Sequence, residues 1–250
     1  MYVIRIPRTA LVTTVLFCMI ALGFRLEQRM VLSVSSIPQP IEHVKTNQKV
    51  MALTINVDWG EEYIPAILNI LDQGKAKATF FVTGRWAKKY PELIKLMVSR
   101  GHEVENHGYS HPHPDNLSIA ANKEEISRTE TILFELSRLK TRFYAPPYGE
   151  RGLSGLKAAN ELGYKTILWT LDTVDWRPES SAEIIANRVL NPQSRFGIKP
   201  DKHGAIVLMH PKPNTVKALP VILKQLDIDG FKLVTINELI TFGIEGNTTS

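Results

Sequence analysis

KVMALTINVDWGEEYIPAILNILDQGKAKATFFVTG, Lys49–Gly84, decides the fold class. It opens on KVMALTINVD, an apolar run rich in β-branched residues that reads as a strand. From about Glu61 to Leu71 the apolar positions recur with a helical period. KATFFVTG is then a second buried strand ending at Gly84.

The same alternation runs through the text that follows. WAKKYPELIKLMVSRG is an amphipathic helix that Gly101 stops, HEVENH a third strand, and NKEEISRTETILFELSRL another helix. TRFYAPP, TILWTLD, AIVLMH and FKLVTI supply further strands. GLSGLKAANELGY, SAEIIANRVL and TVKALPVILKQL are the helices between them. Strand and helix thus alternate about seven times, which predicts parallel strands covered by helices, as a closed (β/α) barrel or an open doubly wound sheet. No Gly-x-Gly-x-x-Gly or Gly-x-x-x-x-Gly-Lys loop follows any strand, so a nucleotide-binding reading has nothing to rest on.

The 250 residues, 44% hydrophobic and 22% charged, suit one globular domain with a short appendage. The net charge of +5 comes from dispersed Lys and Arg, with no basic stripe interleaved with aromatics, which argues against nucleic acid. A mild attraction to an anionic surface fits better. Cys18 is the single cysteine, so no internal disulfide forms. Arg5 and Arg8 lead into ALVTTVLFCMIALGF (Ala10–Phe24), and Arg25, Glu27 and Arg29 follow it. A charged lead before a membrane-length apolar run reads as a secretory signal or signal anchor. Without a small-x-small cleavage site, the expectation is an uncleaved anchor over residues 1–30, attaching an extracytoplasmic domain to the membrane. Residues 31–48, aperiodic and containing Pro38 and Pro40, read as a linker, and 49–245 as one folded domain, a monomer.

The unusual polar residues gather where apolar strands stop. Asp58-Trp59 follows the first strand, His107 and His111 the third, and Pro146-Pro147-Tyr148-Gly149 the fourth. Asp172 and Asp175-Trp176 follow the fifth, and His210 the sixth. In a parallel barrel those strand ends open onto one face, so the residues converge on one cleft. Two histidines four apart with Gly, Tyr and Ser between them can form half a metal site, and a carboxylate such as Asp58 completes a three-ligand face. The bland readings stand beside this one. Asp58 suits a strand-end cap, His210 a packed histidine, and Trp59, Trp169 and Trp176 core packing, while His102 and His113 read as solvent-facing or structural.

ALTINVDWGEE, ATFFVTG, GHEVENHGYSHP, APPYG, LDTVDW, VLMH and GFKLVTINELI occur in this order. Together they resemble the polysaccharide deacetylase family, the NodB-homology domain of carbohydrate-esterase type, in its sporulation-associated, YlxY- and PdaB-like variety. The resemblance spans about Lys49 to Phe242. It implies a distorted (β/α) barrel of about seven parallel strands that removes acetyl groups from N-acetylated polysaccharide of the cell envelope, peptidoglycan or chitin-like. It also implies a divalent metal, usually zinc, held by Asp58, His107 and His111. Asp175 and His210 carry over as catalytic groups, with His210 protonating the leaving amine. Tyr148, Pro147 and Trp176 carry over to substrate binding, Tyr148 near the backbone that holds a developing oxyanion.

The sequence departs from the family's pattern at two places. The family has paired aspartates in its first motif, a base and a metal ligand; Asn56-Val57-Asp58-Trp59-Gly60 holds one carboxylate. Anchoring on Leu53-Thr54 puts Asn56 and Val57 at the paired positions, whereas anchoring on Gly60 puts Asp58 and Trp59 there. Strand geometry places Asn56 and Asp58 on one side. The family's third-motif arginine, which orients the base, is Ala145 here, and Arg142 has the wrong strand parity to replace it. The two losses belong together, because a partly buried arginine without its carboxylate is an uncompensated charge. Two readings follow: a slow deacetylase in which Asp58 serves as base or ligand, with Glu61, Glu62 or metal-bound water as substitute base, or a degenerate barrel that binds glycan without cutting it.

Overall fold

Val50–Val57 forms β1, and all eight of its residues are buried. In this computed structural model the described residues are Met19, 38–194 and 197–243. The chain divides into a unit over Met1–Ile37 and a second over Pro38–Ser250. The expected anchor over 1–30 therefore lies outside the described residues apart from Met19. No helix among the described residues is long and apolar enough to cross a membrane.

Alternation along β1 explains the two-sided burial. Met51, Leu53, Ile55 and Val57 join Ile64, Ile67, Leu68 and Leu71 of α1 (Ile64–Gln73) in one apolar cluster. Val50 and Ala52 join Phe81, Phe143 and Ile206 in a second cluster inside the curl of the sheet. A single large-to-small change in the first, such as Leu53→Ala, removes about 2–5 kcal/mol of stability. The strand β2 is Ala78–Val82; α2 (Gly84–Lys89) and α3 (Pro91–Ser99) lead to β3, Glu103–Asn106. Then come α4 (Ile119–Ser137), β4 (Phe143–Tyr144), α5 (Leu153–Glu161), β5 (Lys165–Thr166), β6 (Leu171–Asp172) and α6 (Ala182–Leu190). The chain continues through β7 (Ile206–Met209), α7 (Pro213–Ile228), β8 (Lys232–Val234) and α8 (Ile236–Thr241).

The sheet has eight strands in the order β5-β4-β3-β2-β1-β7-β6, with β8 also on β1, and every pairing is parallel. The eighth strand arises because TILWTLD, read as one strand, divides between the two edges: β5 pairs β4, and β6 pairs β7. That division forces curvature. Seven strands laid flat at about 4.8 Å spacing would hold their outer edges about 29 Å apart. The stretch from Thr166 to Leu171 is five steps long and spans about 17 Å at most. The sheet has to curl until its edges approach, and the result is the distorted (β/α) barrel of the sequence reading.

Residues 38–48, read as the last part of a linker, lie in the seam of that curl. Ile41 donates to the Thr166 carbonyl at 2.8 Å and accepts from Leu168 N–H at 3.0 Å, and His43 bridges Ala205 antiparallel. Val44 N–H donates to the Gly204 carbonyl at 2.9 Å. Gly204, at φ +79°, can be nothing else, because a Cβ there would lie 1.7 Å from the Val44 carbonyl oxygen. Isolated bridges of this kind leave no periodic pattern in the text, which is why the stretch reads as a tether.

Candidate active site

Strand parity and strand ends together set the site. On β1 the inward positions end at Asn56 and then Asp58; on β3 they run Glu103, Glu105 and then His107; on β7 they run Ile206, Leu208 and then His210. Asp58, His107 and His210 therefore all stand just past a C-terminal strand end, facing the same mouth. Burial acts on His107 and His111, and each also feels the charges of Asp58 and His210, so the four side chains share one cleft.

His107 is held rigidly. Its Nδ1 lies 2.7 Å from the Ala145 carbonyl, which can only accept, so Nδ1 carries the proton and Nε2 keeps its lone pair. Burial, reinforced by the charge of His111, lowers its pKa to about 3, so the ring is neutral at physiological pH. His111 lies with its ring centroid 5.0 Å from that of His107, on a backbone at φ 58°. Burial lowers its pKa as well. The loop between the two rings is pinned by Glu125 on α4, whose Oε2 accepts from Tyr109 N–H at 2.9 Å and Ser110 N–H at 2.7 Å. Asn106 Oδ1 accepts from Gly108 N–H at 2.9 Å. Tyr148 and Val174, at φ 60° and 50°, share the left-handed conformation of His111 on neighbouring loops of this rim. Each such residue stores backbone strain of order 1 kcal/mol or more, and three of the five non-glycine examples among the described residues lie on this rim, the others being Lys75 and Arg138 at helix ends.

On the opposite wall Asp175 orients His210. Its carboxylate accepts the His210 backbone N–H and Nδ1–H at 2.7 Å each, and the Thr215 hydroxyl at 2.6 Å. Nδ1 is thereby protonated, leaving Nε2 as the ring nitrogen not held by Asp175. Trp59 stacks on His210 with centroids 5.7 Å apart, and Lys212 Nζ sits 4.1 Å above the indole. Trp59, Tyr148 and Trp176 are exposed aromatics at this face. Trp169, by contrast, packs against the interior cluster and fills the space beside Gly149. Pro147 is buried under the Tyr148 turn, and exposed His113 stacks on Tyr148 at 3.8 Å while pairing with Glu150 at 2.6 Å. His102 is buried at the other end of β3, neutral, its pKa lowered by burial to about 4.

Asp58 has a partner that sequence reasoning missed. Its Oδ1 accepts from Thr83 Oγ1 at 2.7 Å and Arg85 Nε at 2.8 Å, and its Oδ2 pairs with a terminal nitrogen of Arg85. Burial works to raise the Asp58 pKa, but the bonds from Arg85 and Thr83 outweigh it and hold the carboxyl below its ordinary value. The clue in the text was an arginine three residues beyond the end of a buried strand, in ATFFVTGR. Asn56 is buried with its Oδ1 lacking a hydrogen-bond partner among the described residues. Ala145 packs in the interior cluster, so nothing basic stands at the third-motif position. Glu61 turns to the Tyr90 hydroxyl, which lowers its pKa and occupies it as a substitute base.

The metal that the resemblance implies does not fit this arrangement. Asp58, His107 and His111 share the cleft, yet no group of three His, Cys, Asp or Glu among the described residues is disposed to hold an ion. Both Asp58 oxygens are committed to Arg85, whose charge His111 also feels.

A parallel barrel with histidines at its strand ends, one of them oriented by a buried aspartate, is the architecture of a carbohydrate esterase. The chain belongs to the polysaccharide deacetylase family, whose pattern matches residues 43–167. It is 32% identical over 203 residues to YlxY of Bacillus subtilis, spanning 81% of this chain and 61% of that protein, so less than two thirds of the relative is represented. It is 34% identical over 205 residues to a peptidoglycan-N-acetylglucosamine deacetylase of Bacillus cereus, spanning 80% of this chain and 92% of that one. Among solved structures, BA3943 of Bacillus anthracis, described as a CE4 family pseudoenzyme, is 37% identical and superposes with a TM-score of 0.75 over 82% of this chain and 70% of that chain. A mutant of BA3943 with restored enzymatic activity superposes equally well, at a TM-score of 0.75.

Proposed function

We propose that this chain recognises N-acetylated glycan of the cell envelope, peptidoglycan or a chitin-like polymer, and removes its acetyl groups slowly. The observation that carries the reading is Asp175, whose side chain is 0% exposed beneath His210. A buried carboxylate is costly unless its hydrogen bonds are made, and here two of the three come from His210, one from its backbone and one from its ring, while the Thr215 hydroxyl supplies the third. A ring so fixed suits proton delivery. Water adds its oxygen to the acetyl carbon, the C–N bond breaks, and protonated His210 gives its Nε2 proton to the leaving amine while the water's proton passes to solvent. Exposed Trp59, Tyr148 and Trp176 offer flat faces on which sugar rings can rest.

The rate is low because Asp58 and Glu61, two of the carboxylates read as a base, are both engaged by other side chains. Asp58 is bound by Arg85, and an amide stands at Asn56. A missing general base lowers a rate by about 10² to 10⁴. The peptidoglycan deacetylases among the relatives support the substrate class, and an anchor over residues 1–30 would hold the barrel outside the membrane, on wall or spore glycan. One observation favours a second reading, binding without cleavage: the Arg85–Asp58 pair leaves half of the hydrolytic machinery closed, and BA3943, a pseudoenzyme, is 37% identical.

Acetate release from N-acetylglucosamine oligomers and peptidoglycan fragments tests both. Slow release that His210→Ala abolishes upholds the deacetylase. Glycan affinity with release no greater than that of His210→Ala upholds the binding module, and absence of both rejects the glycan altogether.

A further inference from the structure

We propose that Arg85 is a built-in cation that holds Asp58 closed against divalent metal, so that the His107–His111 pair is kept from completing a zinc site. The inference rests on this cleft being the glycan site proposed above, but its test reads metal rather than acetate.

Three observations carry it. The first is occupancy: three donors, a fork of two Arg85 nitrogens and the Thr83 hydroxyl, engage both Asp58 oxygens, and an arginine fork matches a carboxylate better than any other side-chain cation does. The second is placement. The start of α2 docks on the loop that carries the histidines, with Gly84 N–H donating to the Gly108 carbonyl and Arg85 N–H to the Tyr109 carbonyl, each at 3.0 Å. Gly84 allows that approach, because a Cβ there would lie 2.7 Å from both Thr129 Oγ1 and Tyr109 Cδ2. Arg85 therefore has its backbone fixed to the histidine loop and its side chain fixed to the acid. The third is burial. The Asp58 side chain is 8% exposed, whereas the carboxylates paired with Arg100 and Arg151 are 42% and 40% exposed. The acid is the buried member of a pair whose arginine is half exposed.

The consequence for a dication is double. Drawn to the free Nε2 of His107 and to His111, it finds its third ligand already taken, and it meets a fixed positive charge where that ligand stands. Losing a ligand and gaining a repulsion both weaken binding. Arg85 itself is 50% exposed, so replacing it leaves no buried hole, and the freed carboxylate faces a site with two imidazoles.

The experiment is calorimetric titration of Zn2+ alone into the full chain, as wild type, Arg85→Gln, Asp58→Asn, and Arg85→Gln combined with Asp58→Asn or His107→Ala. Arg85→Gln is expected to gain one site about tenfold or more tighter than any in the wild type, the equivalent of one charge–charge contact at a partly exposed position. Both double variants should lose that gain, and Asp58→Asn alone should change wild-type zinc binding less than about twofold. Wild-type protein that binds one zinc and loses it in Asp58→Asn overturns the proposal, as does an Arg85→Gln affinity equal to the wild type's. Should Arg85→Gln fail to fold, the comparison of wild type with Asp58→Asn decides alone: an unchanged affinity upholds the lock and a loss rejects it.

Discussion

Asp175 accepts both the backbone N–H and the ring Nδ1–H of His210. Two bonds from one residue to one carboxylate fix the ring's position and its rotation together, and Thr215 occupies the remaining capacity of Oδ2. Binding a sugar requires no such control over a single imidazole; moving a proton does.

Asp175→Asn preserves shape but brings an amide whose nitrogen cannot accept either donor. We expect acetate release to fall by about 10² or more, with glycan affinity within about threefold of the wild type, because the change strikes proton transfer and leaves the aromatic faces alone. The buried donor left unpaired should lower stability by about 1–3 kcal/mol in urea. A parallel loss of glycan affinity would mean that His210 binds substrate and does not protonate it.

Asn56 and Ala145 form a second test. Asn56→Asp alone buries a carboxylate without a counter-charge, and Ala145→Arg alone forces a guanidinium among Phe81, Phe143 and Ile167. Each single variant is expected to lose about 3 kcal/mol or more. The double variant should recover about 1–3 kcal/mol relative to the sum and release acetate faster than the wild type. Strict additivity in the denaturation cycle would show that the two positions do not meet.

Much of this was legible in the text because strands write their parity into it. The alternation of Met51, Leu53 and Ile55 against Asn56 and Asp58 fixed which side chains reach the mouth, and strand ends fixed where. What escaped were features carried by single contacts between distant stretches. Ile41 bridges Ile167 across the seam without any periodic pattern, TILWTLD reads as one strand although its halves pair with opposite edges, and Arg85 reaches Asp58 from a helix start. A cation chosen by geometry leaves no spacing rule behind.

Trp59 stacks on His210 with Lys212 Nζ 4.1 Å from its ring centre, and it is 37% exposed. If sugar rings rest there, Trp59→Ala should weaken binding of an N-acetylglucosamine oligomer by about tenfold, the loss of one stacked aromatic face. Trp169→Phe, inside the barrel, should change stability and leave that affinity within about twofold. Equal effects on affinity would place the glycan elsewhere on the surface.

Glu105 gives a pH test independent of activity. It faces the barrel interior on β3, 4% exposed, with Oε2 accepting from Arg142 N–H and Phe143 N–H at 2.9 Å each. Burial, reinforced by the neighbouring charge of Glu103, pushes its pKa up from 4.5 to about 8 against the pull of those amides. A carboxyl raised on folding binds more protons in the native state than in the unfolded chain between those two values. Stability contributed by this group therefore falls as pH rises from about 4.5 to about 8. Glu105→Gln keeps a carbonyl oxygen for both amides and never ionises. Its urea midpoint should match the wild type's near pH 4 and exceed it by a growing margin up to pH 8, reaching a few kcal/mol before levelling off. Glu103, whose pKa burial also raises, is present in both proteins, and its slope differs between them only by the part it shares with the Glu105 charge. A constant gap across this range would mean that Glu105 is already ionised in the folded barrel at low pH.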